Sequence, residues 1–101
     1  MFVKTYNHLN VSELFRAHYK EFGEFGRVEN KLDSRMDLHA LVLLAKLFPS
    51  EKRIISEFGL SWFCIGVTPK QVESLTSEQV LELVRCGVRY DDNNGDLIVY
   101  L

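Results

Sequence analysis

Apolar residues recur at helical spacing along the first part of the chain. Val11, Leu14, Phe15, Tyr19 and Phe22 follow Asn10 at i, i+3, i+4, i+7 intervals, with His18 on the same stripe. Asn10 is a helix N-cap residue and Glu13 stands where a capping box needs it, so the spacing predicts an amphipathic helix that ends at Gly23. A second helix is expected after Ser34, with Asp37 as its box partner. Met36, Leu38, Leu41 to Leu44, Leu47 and Phe48 make it apolar on most sides, the mark of a central helix, and Pro49 stops it. Ser50 then caps an expected short helix over 51–58, with Ile54, Ile55 and Phe58 facing inward and Gly59 closing it.

The period changes at Ser61–Val67 (SWFCIGV), an uninterrupted aromatic and β-branched run expected to be a central strand covered on both faces. Met1–Thr5 is a further, weaker strand candidate. The pattern T-x-x-Q-V-x-x-L then occurs twice, from Thr68 and from Thr76. Each copy has eight residues, too few for a structural repeat unit, so the two are read as successive helix starts with Thr caps and Gln box partners. Pro69 supports the first start and Gly87 ends the second helix. The end of the chain reads as a β-hairpin. Val88–Tyr90 and Leu97–Leu101 are its strands, Asn94-Gly95 is its turn, and Leu97, Val99 and Leu101 lie on its core face. The expected fold is one globular α+β domain over 1–101. It holds four or five short helices and a small, mainly antiparallel sheet ending in the C-terminal hairpin.

Composition narrows function mainly by exclusion. A 101-residue chain, 47% hydrophobic and 26% charged, can bury a core without metals or disulfides. The net charge is −2, and the basic residues are scattered, with Lys52-Arg53 the only adjacent pair. That disfavours a nucleic-acid binder, which would carry a basic stripe. No nucleotide-binding, metalloprotease or nucleophile-elbow motif occurs, and no spacing joins His8, His18 and His39 to a nucleophile or a second ligand. Cys64 and Cys86 are expected to be reduced and buried. The acidic stretch Asp91–Asp96 lacks the closing Glu of a calcium loop and reads as a turn. No catalytic, cofactor or metal site is assigned. Without a signal peptide or a transmembrane run, the expected location is the cytoplasm.

What remains is a surface for a partner. The loop Gly23–Asp33 contains Phe25, and the hairpin end carries Tyr90, Asp91, Asp92 and Asp96. These five residues are the candidate contacts. Twelve aromatics in a chain this small also leave Tyr6, Trp62 and Tyr100 as candidates for exposure, an arrangement compatible with a homodimer.

The segment from Val72 to Asp92, followed by Asp96-Leu97, resembles one that recurs in small uncharacterised proteins of tailed bacteriophages. Its most specific part is Arg85-Cys86-Gly87-Val88-x-Tyr90-Asp91, and it covers about a quarter of the chain. The resemblance implies a phage origin and hence a host-cell cytoplasm. Small phage proteins without catalytic motifs commonly occupy a surface of a host protein. The first expectation is therefore a non-enzymatic protein that binds and inhibits a host protein, such as a CRISPR or other defence component. The alternatives are a nucleic-acid-associated regulator with a basic face of Arg16, Lys20, Arg27, Lys31 and Arg35, and a small enzyme using Cys64 or Cys86.

Overall fold

The computed structural model describes residues 10–49 and 54–100. The Met1–Thr5 strand candidate and the start of the expected 51–58 helix lie outside the described residues. Four α-helices and four strands follow in the order α1 (Val11–His18), α2 (Met36–Leu47), β1 (Ile55–Phe58), β2 (Trp62–Ile65), α3 (Pro69–Glu73), α4 (Ser77–Arg85), β3 (Val88–Asp91) and β4 (Asp96–Tyr100). The strands form one antiparallel sheet in the order β1-β2-β4-β3. The fold is α+β.

Local rules set the helix starts. The Asn10 side chain accepts from the Glu13 N–H, and Glu13 reaches back to the Asn10 N–H. Both Thr-x-x-Gln motifs form the same reciprocal box: the threonine hydroxyl accepts from the glutamine N–H at 3.2 Å, and the glutamine side chain accepts from the threonine N–H at 2.8 Å. The duplicated pattern is thus two helix starts, one on the five-residue α3 and one on the nine-residue α4. α1 is shorter than expected. Its last turn tightens into a 3-10 turn over Tyr19–Glu21, before Gly23 takes the left-handed conformation at φ 74°. α2 begins one residue later than expected, with Arg35 rather than Ser34 at its N-cap. Asp33 instead accepts from the Arg35 N–H at 2.8 Å, which turns the chain into the helix.

The cross-strand register divides the sheet into two faces. Phe63, Val99 and Val88 share one cross-strand row, and Ile65, Leu97 and Tyr90 share the next, on the same face. This face meets the helices. The core packs Val11, Leu14 and Phe15 of α1, Ala40 and Leu44 of α2, Val72 of α3, and Val80, Leu83 and Val84 of α4 against it. The opposite face carries Glu57, Cys64, Ile98 and Arg89 in one row, and Trp62 and Tyr100 in another. β2 is central, as its uncharged sequence implies. α2 is less central than its composition suggests: His39, Ala40 and Leu44 are buried, whereas Val42 is exposed.

Two expectations are corrected by pairing. Ile55–Phe58 is not the end of a helix but an edge strand, joined to β2 by the turn at Gly59–Ser61. Phe58 sits opposite Phe63 yet is 75% exposed. The C-terminal turn is also longer than a two-residue Asn-Gly turn. Asp91 pairs with Asp96, and residues 92–95 make the connection. Asp91 closes it by accepting from the Asn93 N–H and the Asn94 side-chain amide, and only Gly95 in the turn has positive φ.

Candidate functional site

The expected contact residues separate into two groups. Tyr90, Asp91, Asp92 and Asp96 meet at one end of the sheet. Phe25 lies at the other end, because Gly23 N–H bonds to the Val84 carbonyl and Phe22 packs edge-on against Tyr100, beside the start of β3. The Gly23–Asp33 loop and the acidic turn therefore do not form one surface.

Most members of these groups are occupied within the fold. Tyr90 is half-buried and stacks on Phe15, with ring centroids 5.8 Å apart. Asp92 accepts from the Ser12 hydroxyl and pairs with Arg16 at 3.6 Å, which ties the turn to α1. Asp96 is half-buried, and burial, followed by the neighbouring Asp91 and Glu57 charges, pushes its carboxyl above the usual range. Phe25 is not an exposed anchor. Its ring packs against the core and lies 5.3 Å from the His39 ring, with the Lys31 ammonium 5.1 Å from its centroid.

Neither thiol is prepared for nucleophilic work. Cys64 and Cys86 are free and buried. Burial raises both, Cys86 to about 12, so both are protonated at neutral pH. Among the described residues, no group of three His, Cys, Asp or Glu is arranged to hold a metal ion. No described helix is long and apolar enough to cross a membrane.

Three arginines of the N-terminal half are ion-paired within the fold. Arg16 pairs with Asp92, Arg27 with Glu21 at 2.7 Å, and Arg35 with Asp33 at 3.5 Å. Lys31 donates to the Val28 carbonyl. Glu21 is also bonded by Arg85, and the Arg27 hydrogen bond holds its carboxyl below the ordinary value. Glu21, Asp33 and Asp92 thus stand beside three of the five residues of the expected basic face.

Two features were not visible in the sequence. The first is the β1–β2 turn. Leu60 is fully exposed and Phe58 nearly so, the largest apolar exposure among the described residues. The turn is braced from within. Gly59 N–H bonds to the Trp62 carbonyl at 2.9 Å, and the indole lies so close over Gly59 that a Cβ there would stand 2.4 Å from the ring. Phe58 and Leu60 are thus presented on a fixed turn. The missed signal was the Gly-Leu-Ser spacer between Phe58 and Trp62, a short hairpin connection.

The second is His39, which is 1% exposed. Its Nδ1 accepts from the Leu32 N–H at 3.1 Å, so the neutral ring carries its proton on Nε2. Nε2 is buried 3.9 Å from the Glu82 carboxylate and has no hydrogen-bond partner among the described residues. Burial holds this histidine below 6.5. Glu82 and Asp33 oppose the shift, and Lys31 adds to it. The folded state therefore binds the proton less readily than the unfolded chain. His39 contributes stability that is fully present above pH 6.5 and is lost as pH falls from there through the lower folded value. His18, also depressed chiefly by burial, adds in the same direction. Urea unfolding should show stability falling from pH 7 to pH 5, with a shallower fall in His39→Gln. Equal slopes in the two proteins would remove His39 from the account.

No protein-family model, curated protein or solved structure matches this chain.

Proposed function

We propose that this chain is a non-enzymatic, phage-type interaction protein that binds and inhibits a host protein, in the manner of an anti-defence or anti-CRISPR-like factor. The observation that carries the reading is the braced apolar turn: Phe58 at 75% exposure and Leu60 at 105%, held on an edge hairpin by the Trp62–Gly59 contact. Exposed apolar groups on a rigid turn lose little conformational freedom on docking, which makes them effective anchors in a partner's pocket. An exposed sheet edge alongside them offers further backbone contacts. The phage resemblance of the Val72–Asp92 segment supports the origin, and the raised thiols support a role other than nucleophilic catalysis. The paired cations of the N-terminal half favour this reading over the nucleic-acid alternative.

The test compares the wild-type protein with Phe58→Ser/Leu60→Ser. The wild type should capture one stoichiometric host protein and inhibit it when the two are mixed. The double variant should keep its unfolding midpoint and lose at least about tenfold in affinity, the loss of a hot-spot contact. Equal capture and inhibition by both proteins would sink the assignment of the turn. In that case, charge reversal at Asp91, Asp92 and Asp96 tests the opposite end of the sheet.

A further inference from the structure

His39 of α2 touches three other parts of the chain. Its ring lies 5.3 Å from the Phe25 ring. Nδ1 accepts from the Leu32 N–H at 3.1 Å, and Nε2 stands 3.9 Å from the Glu82 carboxylate of α4. The Leu32 bond matters to its segment. Residues 29–34 form neither helix nor strand, and five of the six are exposed. Among the described residues, the Leu32 N–H is the one backbone donor of this segment with an acceptor in the fold.

The two ring nitrogens cannot keep these roles when the ring gains a proton. Nε2 already carries hydrogen, so the new proton goes to Nδ1. Nδ1–H then faces the Leu32 N–H, donor against donor, and that hydrogen bond is lost. On the other side of the ring, Nε2–H becomes the donor of a cation, and Glu82 becomes its counter-charge. A small movement of the Glu82 side chain closes a charge-assisted hydrogen bond there and satisfies a buried donor that otherwise has no partner among the described residues. One proton thus removes a tie to the segment and makes a tie to α4.

The surroundings couple these two events. Burial is the main force against the cation, and Lys31 of the segment adds to it. Glu82 of α4 and Asp33 of the segment favour the cation, and the Phe25 ring offers it an aromatic neighbour. Movement of the segment away from the ring admits water and lowers the burial cost, so the protonated ring and the released segment stabilise each other.

We infer that His39 is a proton-operated latch: the neutral ring fastens the 29–34 segment to α2 through Leu32, and the protonated ring releases that segment and turns to Glu82. The inference is independent of what the chain binds, since it concerns contacts within the fold.

The experiment is an NMR titration of the isotopically labelled full chain from about pH 7 to about pH 5, a range in which free carboxylates stay ionised. It follows the His39 ring and the exchange of backbone amides with water. After correction for the intrinsic effect of pH, exchange at Leu32 should rise at least about tenfold, with the same midpoint as ring protonation, while Leu83 and Val84 of α4 keep their protection. His39→Gln should show no such step. Glu82→Gln, at a partly exposed position, should fold and should lower the midpoint, because the cation loses its counter-charge. A Leu32 amide that stays protected while the ring protonates would overturn the latch. So would a ring still neutral at the end of the titration, a loss of protection shared by Leu83 and Val84, or a midpoint unmoved in Glu82→Gln.

Discussion

Phe15→Ala should remove a large share of the stability of this protein. Phe15 is fully buried where α1 meets the sheet, stacks on Tyr90 at 5.8 Å and lies 6.5 Å from Tyr19. Truncating a buried phenylalanine costs about 3–5 kcal/mol, because the transfer energy of the ring is lost and the cavity closes only in part. Small domains have only about 5–15 kcal/mol in total. The loss also propagates, since Tyr90 lies in β3 just before the turn that Asp92 fastens to Ser12 and Arg16 of α1. Chemical denaturation should show a sharply lowered midpoint, or no folded baseline at all. Phe15→Leu keeps much of the volume and should cost less than about 1.5 kcal/mol. A loss below about 1 kcal/mol in the alanine variant would mean that α1 is not integral to the core.

The same residue shows what sequence can and cannot reveal. Phe15 lay on a legible stripe because α1 is amphipathic and its cap is local: Asn10 and Glu13 stand three residues apart. The two Thr-x-x-Gln starts were legible for the same reason, as was the C-terminal hairpin, whose alternation and turn residues are neighbours in the chain. Ile55–Phe58 was not. Apolar residues at 54, 55 and 58 fit a helical spacing as well as a strand, and four residues are too few to choose between the periods. Pairing with β2 decides the matter, through the register Ile55 to Ile65 and Phe58 to Phe63. That one misreading hid the strongest candidate anchor, because a helix placed Phe58 inward.

The contacts of the charged and polar residues were hidden for a different reason. Tyr90, Asp91, Asp92 and Asp96 do gather at one end, as their closeness in sequence implies. Their engagement with Phe15, Ser12 and Arg16 joins segments far apart in the chain and leaves no local trace. The approach of His39 to Glu82 bridges α2 and α4. In the sequence, no spacing joins His39 to a nucleophile or a second ligand. Only the packing shows that one ring nitrogen is satisfied and the other is not.

Gly87→Ala should be much more harmful than Gly23→Ala, although both glycines have left-handed backbone, at φ 87° and 74°. The conformation alone costs a non-glycine residue about 1–2 kcal/mol. At Gly23 nothing lies within 4 Å of an added Cβ, so that term stands alone. At Gly87 the Cβ would come within 3.2 Å of the Tyr100 carbonyl oxygen and 3.3 Å of Met36 Cε. The methionine can swing aside. The carbonyl cannot move freely, because Tyr100 is bound into the sheet and its own N–H bonds back to the Gly87 carbonyl at 2.9 Å. Relieving the contact therefore strains the junction where α4 passes into β3 beside the end of β4. Overpacking of this kind adds about 1–3 kcal/mol to the conformational term. Urea unfolding at matched m-values should place the Gly87→Ala midpoint clearly below that of Gly23→Ala. Equal midpoints would mean that Gly87 is needed only for its backbone angles. A larger loss in Gly87→Ala assigns the difference to the close passage of β4, and explains why the chain has glycine at the step between α4 and β3.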